Sequence, residues 1–248
     1  MTQGPETFDA IILGAGGAGM MCGATAGQRG KAVLIVDHAE APGKKILISG
    51  GGRCNFTNVF TGADRYISAN PHFAKSALGR YRPEDFIALV EAHRIAWHEK
   101  TLGQLFCDGS ARQIVDMLLE ECAAGKVNIA LGEAISSVDH ADGLFRIAFG
   151  GRLAAAPALV IATGGLSIPK MGATGFAYDV ARQFGLESIP ESVKRLNQLI
   201  AKRESSVEDV ARLITQDQEL TSRLLRAANP RADCEADYTT TTVEAALA

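Results

Sequence analysis

The chain has 248 residues, enough for one large domain or two small ones with a sizeable core. Apolar residues make up 47% and charged residues 21%, the balance of a globular protein in water. A formal net charge of −3 at pH 7 gives no electrostatic argument for nucleic acid or an anionic membrane as partner.

Met1–Thr7 lacks the basic and apolar regions of a secretory leader, and no apolar run reaches the ~18 residues of a membrane span. Cys22, Cys54, Cys107, Cys122 and Cys234 are odd in number and widely spaced. They form no metal-type or redox pair and read as reduced thiols. The expectation is a cytoplasmic protein without membrane or nucleic-acid partners.

Phe8–Leu13 is a short apolar run ending at glycine, the pattern of a buried parallel strand. Gly16–Gly30, rich in Ala, Met and Gly, reads as a helix closed by Gly30. Ala32–Val36 is a second buried strand, ending at Asp37. Gly14, Gly16, Gly17, Ala18 and Gly19 thus form a dinucleotide-type loop between strand and helix. Gly14 permits a tight turn, and Gly16 lets a pyrophosphate approach the backbone. Gly19 allows close packing of helix on strand, and the helix N-terminus faces the phosphates. Asp37 is placed to accept hydrogen bonds from ribose hydroxyls.

Lys44–Asn58 carries three consecutive glycines, Gly50–Gly52, among Lys44, Lys45, Ser49, Arg53, Asn55, Thr57 and Asn58. Glycine removes side chains where something bulky comes close, and the flanking residues supply positive charge and hydrogen bonds. Cys54 in this run reads as a small packed side chain rather than a redox centre.

Pro71 and Pro83 precede expected helices at Phe73–Leu78 and Glu84–His93. Gly103–Phe106 looks like a short strand, and Ser110 caps a helix to about Cys122. His72, His93 and His98 are scattered and read as surface or structural histidines. Residues 126–157 change to strand period, with turns at Asp142-Gly143 and Gly150-Gly151, and read as an antiparallel meander. Ala158–Gly165 is another buried strand; it returns to the first sheet and brings Thr163 and Gly164 to the same ligand. A loop at Ser167–Gly175 leads to a helix over Phe176–Phe184, ended by Gly185.

Glycine is absent from Leu186 to Ala248 and helical periodicity takes over, so a boundary is expected near residue 187. Helices are expected from Pro190, from a Ser206 cap and from an Asp217 cap, the last stopped at Asn229-Pro230.

Over residues 8–185 these motifs closely resemble the bacterial NAD(P)/FAD-dependent oxidoreductases of the aminoacetone-oxidase-like kind. The matching stretches are the Gly14–Gly19 loop, Gly43-Lys44-Lys45, Ile48–Asn58, Gly103 with Phe106, Ala162–Gly165, Pro169 and Gly172–Gly175. The resemblance implies an α/β, Rossmann-type FAD-binding domain (1–186) with a small antiparallel meander, and the helical periodicity beyond it reads as an all-helical tail (187–248). It implies FAD lying extended, its pyrophosphate on Gly14–Gly19 and its ribose at Asp37. Lys45, Ser49, Gly50, Gly51, Arg53, Asn55, Thr163 and Gly164 would line the remainder, and the Ile135 backbone would meet the adenine. Family members continue through a substrate-side domain and a returning glycine-rich segment that nothing after Gly185 resembles. Binding is therefore expected more firmly than turnover.

The tail resembles the start of an HDOD domain, on Ile189–Val193, Ser206–Ala211, Ile214–Asp217 and Leu224–Asn229, although Gln218 stands where that family has proline. No metal-binding His-Asp pair occurs there, and no metal site is expected. Two functions follow. One is a flavoenzyme, NAD(P)H its electron donor and an unspecified small molecule its substrate. In it Arg53, with Lys45, stabilises negative charge during reduction, and no catalytic acid, base or nucleophile is assigned. The other is a flavin-binding signalling protein without turnover that meets a protein partner through the helical tail.

Overall fold

The computed structural model describes residues 4–66, 70, 72–165, 175–185 and 207–215. In chain order they form β1 (Glu6–Thr7), β2 (Ala10–Leu13), α1 (Gly17–Gln28), β3 (Val33–Val36), α2 (Lys44–Ile48) and β4 (Asn55–Asn58). Then come α3 (Lys75–Arg80), α4 (Pro83–Ala92), β5 (Trp97–Glu99), β6 (Gln104–Cys107) and α5 (Arg112–Ala124). The remaining elements are β7 (Asn128–Ala130), β8 (Ile135–Ala141), β9 (Leu144–Phe149), β10 (Arg152–Ala156), β11 (Ala158–Ile161), α6 (Phe176–Gln183) and α7 (Val207–Thr215). The chain divides into two compact units, one of Met1–Phe60, Pro83–Gly165 and Thr174–Val180, the other of the intervening and following residues.

The first unit is built on a parallel sheet of order β11-β2-β3-β7. Ile11, Ile12, Leu13 and Val33–Val36 are fully or almost fully buried, which is why both strands read as unbroken apolar runs. Each such Ile, Leu or Val contributes roughly 1.5–3 kcal/mol by leaving water. α1 connects β2 to β3 and packs on α5, whose Ile114, Val115, Met117, Leu118 and Cys122 face inward. The approach of α1 to its neighbours depends on small residues: a Cβ on Gly23 would lie 2.8 Å from Ile35 Cδ1, and one on Gly27 would strike the Gly125 carbonyl.

β11 returns to the sheet beside β2, pairing Ile161 with Leu13, as its apolar run predicted. β7 corrects the expected meander. Residues 128–130 lie parallel to β3, pairing Ile129 with Ile35, so the antiparallel meander is β8-β9-β10 alone, with β1 alongside β10. The alternation of Val127, Ile129 and Leu131 is that of a half-exposed edge strand, and such a pattern does not name its partner. Both hairpin turns are as expected: Asp142 and Gly143, like Gly150 and Gly151, have positive φ, the type I′ geometry.

A third sheet, three-stranded and antiparallel in the order β4-β6-β5, stands in the same unit. Only β6 was legible beforehand. Leu105 and Cys107 point into the core, and Phe56, Phe86 and Trp97 pack with it.

In the second unit the described elements include α3, the 3₁₀ turn Ala63–Arg65, the end of α6 and α7, with Ala211 and Ile214 buried on α7. α7 is the helix expected after Ser206; those expected from Pro190 and Asp217 lie outside the described residues. No helix among the described residues is long and apolar enough to cross a membrane.

Candidate functional site

The Gly14–Gly19 loop turns at the C-terminal end of β2. Gly14 has φ +109°, and a Cβ there would lie 2.6 Å from the Ala162 carbonyl oxygen and 2.9 Å from Thr163 Cα. Only glycine lets the ends of β2 and β11 come this close. A Cβ on Gly19 would run into the Gly14 carbonyl oxygen, which fixes the tight join of α1 to the loop. Gly16 differs: it caps α1 without a side-chain hydrogen bond, and no atom of the described residues lies within 4 Å of a Cβ built on it. α1 starts at this point, with exposed Ala18 on its first turn, and a helix N-terminus carries partial positive charge.

Asp37, at the end of β3, reaches back under this loop. Its Oδ2 accepts from the Ala15 amide at 2.6 Å and its Oδ1 from the Ala39 amide at 2.8 Å. Each carboxylate oxygen can accept a second bond, so capacity for a ribose hydroxyl is retained. The Glu133 amide donates to the Asp37 carbonyl at 3.0 Å and the Gly132 amide to the Ala39 carbonyl at 2.9 Å. This brings the start of β8, where Ile135 sits, to the Asp37 side of the loop.

α2 enters on the other side. Gly43, at φ +70°, donates its amide to the Ala15 carbonyl at 2.9 Å, tying α2 to the first loop. Lys45 Nζ reaches the Gly165 carbonyl at 3.5 Å and would lie 3.2 Å from a Cβ on Gly164. Ser49 donates its hydroxyl to the Ile46 carbonyl and accepts the Cys54 amide at its own carbonyl. Between these bonds Gly50 and Gly51 take left-handed conformations. A Cβ on Gly50 would sit 2.5 Å from Phe106 Cε1 and 2.9 Å from the Asn55 amide, whereas Gly51 faces open space. Arg53 is exposed. In the orientation its neighbours dictate, the Asn55 side-chain amide donates to the carbonyls of Thr57 and Leu105.

Thr163, at the end of β11, carries the one unusual polar atom of this region. Its hydroxyl is buried and has no hydrogen-bond partner among the described residues. Such a group costs about 1–3 kcal/mol unless something fills its valence.

The described cysteines are free, and burial raises the thiols of Cys54, Cys107 and Cys122, the last two to about 11. They are protonated, packed side chains, as read for Cys54. His93 bonds to Glu120 and Glu121, a structural role. No group of three or more His, Cys, Asp or Glu among the described residues could hold a metal ion. Sequence reasoning missed Phe106 as the floor under Gly50 and the two amides that Asp37 holds; backbone partners leave no sequence signal.

The family model described as HI0933-like protein Rossmann domain matches residues 8–227. The match continues over much of the stretch that resembled an HDOD domain, a resemblance that gains no support from it. The ribosomal RNA dihydrouridine synthase of Escherichia coli is 56% identical over 185 residues, covering 75% of this chain and 46% of that protein. The 3-dehydro-bile acid delta(4,6)-reductase of Clostridium scindens is 29% identical over 196 residues, covering 77% and 47%. The chain thus spans about half the length of the curated relatives it matches. Among solved structures, Thermovibrio ammonificans THI4 aligns with a TM-score of 0.44 at 13% identity, covering 73% of this chain and 64% of that one. Cyclohexanone monooxygenase from Rhodococcus sp. Phi1 aligns at 0.42 and 18%, covering 66% and 27%.

Proposed function

The chain belongs to the HI0933-like Rossmann-domain family, and from that premise we propose that it is the FAD-binding part of a reductase. Its substrate class is a carbon–carbon double bond conjugated with a carbonyl, and the uracil ring of ribosomal RNA is the favoured member. The division into an FAD-binding part, 1–186, and a helical part, 187–248, belongs to the same reading.

The observation that carries FAD binding is the buried Thr163 hydroxyl, without a partner among the described residues, beside a glycine-lined opening. An extended dinucleotide fits the residues present. The α1 amides and Gly16 would take the pyrophosphate, Asp37 the ribose and the Ile135 backbone the adenine. Gly17, Ala18 and Gly19 keep the wall low. Lys45, Ser49, Gly50, Gly51, Arg53, Asn55, Thr163 and Gly164 would line the flavin end.

When bound, FAD supplies a hydride, renewed from NAD(P)H. The chain's own contribution is positioning and charge. Lys45, its ammonium held near Gly164 and Gly165, and exposed Arg53 place positive charge where negative charge develops during reduction. The left-handed run at Gly50 and Gly51 keeps side chains out of the approach.

Two relatives support the reaction class. Dihydrouridine is uridine with its ring double bond saturated, and a delta(4,6) diene beside a 3-oxo group is likewise conjugated with a carbonyl. RNA is favoured because that relative is the more similar of the two. The net charge of −3 carries no weight against it: cations are needed only where phosphates lie, and Lys44 and Arg53 are exposed beside the glycine run.

The test begins with the visible spectrum of the purified chain after FAD addition, then anaerobic NADH or NADPH, then an unmodified ribosomal RNA fragment. Bound yellow flavin that bleaches and is reoxidised as the RNA gains two hydrogens supports the reading. A colourless chain that takes up no FAD overturns it.

A further inference from the structure

The sheet beside the glycine run carries a second chemical feature. His98 on β5 pairs with Phe106 on β6, and Phe106 pairs with Asn55 on β4. Directly paired residues project from the same face, so His98, Phe106 and Asn55 form one row across the sheet. The alternate row, with Leu105 and Cys107, is turned into the core, and on the first row Phe106 is itself buried between half-exposed His98 and exposed Asn55. With strands ~4.8 Å apart, His98 stands about 10 Å from Asn55. The link between them is Phe106, whose ring is met at one edge by Gly50 and stacked by His98 at 6.2 Å and 19°.

His98 is also oriented. Its Nδ1 lies 2.6 Å from Asp108 Oδ1, and a carboxylate accepts, so the proton sits on Nδ1. Nε2 has no partner among the described residues, and the side chain is 42% exposed. Lys100 Nζ, 5.4 Å from the Phe106 centroid, adds a cation to the same neighbourhood.

We propose that this sheet face is the substrate-side wall of the flavin site, and that His98, oriented by Asp108, supplies the proton that completes reduction. The proposal rests on the reading under Proposed function and deepens it. The substrate carbon β to the carbonyl gains the hydride that NAD(P)H ultimately provides, and the double-bond electron pair moves toward the α carbon. A new C–H bond forms at the α carbon as the Nε2–H bond of the imidazolium breaks, and solvent returns a proton to the imidazole. One double bond gains one hydride and one proton, and the nicotinamide is oxidised.

Two measurements test this on the whole chain. The first needs no turnover: in ¹⁵N-histidine-labelled protein the His98 signals, identified by their loss in H98Q, shift on FAD uptake, while those of His140 on the meander stay in place. A His98 signal indifferent to FAD overturns the placement. The second is single-turnover reoxidation of the reduced, FAD-loaded chain by a uridine-containing RNA fragment. H98Q slows this step about 10²- to 10⁴-fold more than it slows bleaching by NAD(P)H. D108N slows it less, and H140Q serves as the surface control. Reoxidation of H98Q at the wild-type rate overturns the donor role and leaves the reductase reading standing. A wild-type chain that binds flavin but is never reoxidised by RNA or a simple enone overturns the reductase reading and the donor role together, and the histidine signals still decide the placement.

Discussion

Asp37 holds Ala15: the carboxylate at the end of β3 accepts the amide hydrogen of the first loop at 2.6 Å, and its other oxygen secures Ala39. A residue expected to bind ribose is therefore also a brace for the loop that would bind the pyrophosphate. Asp37→Ala should lower FAD affinity and, independently, the stability of the FAD-free chain by about 1–3 kcal/mol, because partly buried amides lose their acceptor. Asp37→Asn, with one carbonyl oxygen, should fall between. Urea unfolding without FAD checks this, and an unchanged midpoint for the alanine variant would remove the bracing role.

Gly16 and Gly19 should separate binding from folding. A leucine at Gly16 meets no atom of the described residues within 4 Å of its Cβ, so stability should change by no more than about 0.5 kcal/mol while flavin uptake is lost. Gly19→Ala forces a methyl group into the Gly14 carbonyl oxygen and should destabilise the chain itself. Flavin absorbance after gel filtration, beside unfolding curves, distinguishes the two. A yellow Gly16→Leu protein would displace the pyrophosphate from this loop.

Thr163→Val replaces a buried hydroxyl that has no partner among the described residues with a methyl group of similar shape. The FAD-free chain should become more stable, by up to about 1–3 kcal/mol, and the added stability from FAD should shrink. Thermal melts with and without FAD read both quantities. If the variant gains as much from FAD as the wild type, the hydroxyl serves no ligand.

Acid should loosen the packing of α1 against α4 and α5. The Gln28 amide, and after it His93, hold the Glu121 carboxyl below its ordinary value of 4.5. A lowered carboxylate pKa means that the unfolded chain binds the proton more readily. Its contribution is therefore whole above pH 4.5 and is lost as pH falls through the folded value. Glu121→Gln should flatten the decline of stability between about pH 5 and 3. Unfolding midpoints across that range check the slope.

The parallel sheet was legible because Ile11–Leu13 and Val33–Val36 are buried on both faces and read as apolar runs, and half-buried Leu159–Ile161 keeps the same apolar character. Asn128–Ala130 was assigned to the wrong sheet because an edge strand and a meander strand share one alternation. Asn55–Asn58 was not legible as a strand at all: Asn-Phe-Thr-Asn has little apolar pattern, and its pairing with Gln104–Cys107 is long-range. The glycine loops announced themselves through composition. The His98 row did not, because three residues far apart in sequence become neighbours only through strand register.

The buried thiols bear on endurance. Any flavin that meets oxygen while reduced sheds peroxide, and peroxide attacks thiolates. With Cys107 and Cys122 pushed up to about 11 and Cys54 raised by burial, these three buried thiols offer that by-product little thiolate to attack, and burial raises half-buried Cys22 too. The core around the glycine run is built to outlast the side reactions of the cofactor it would hold.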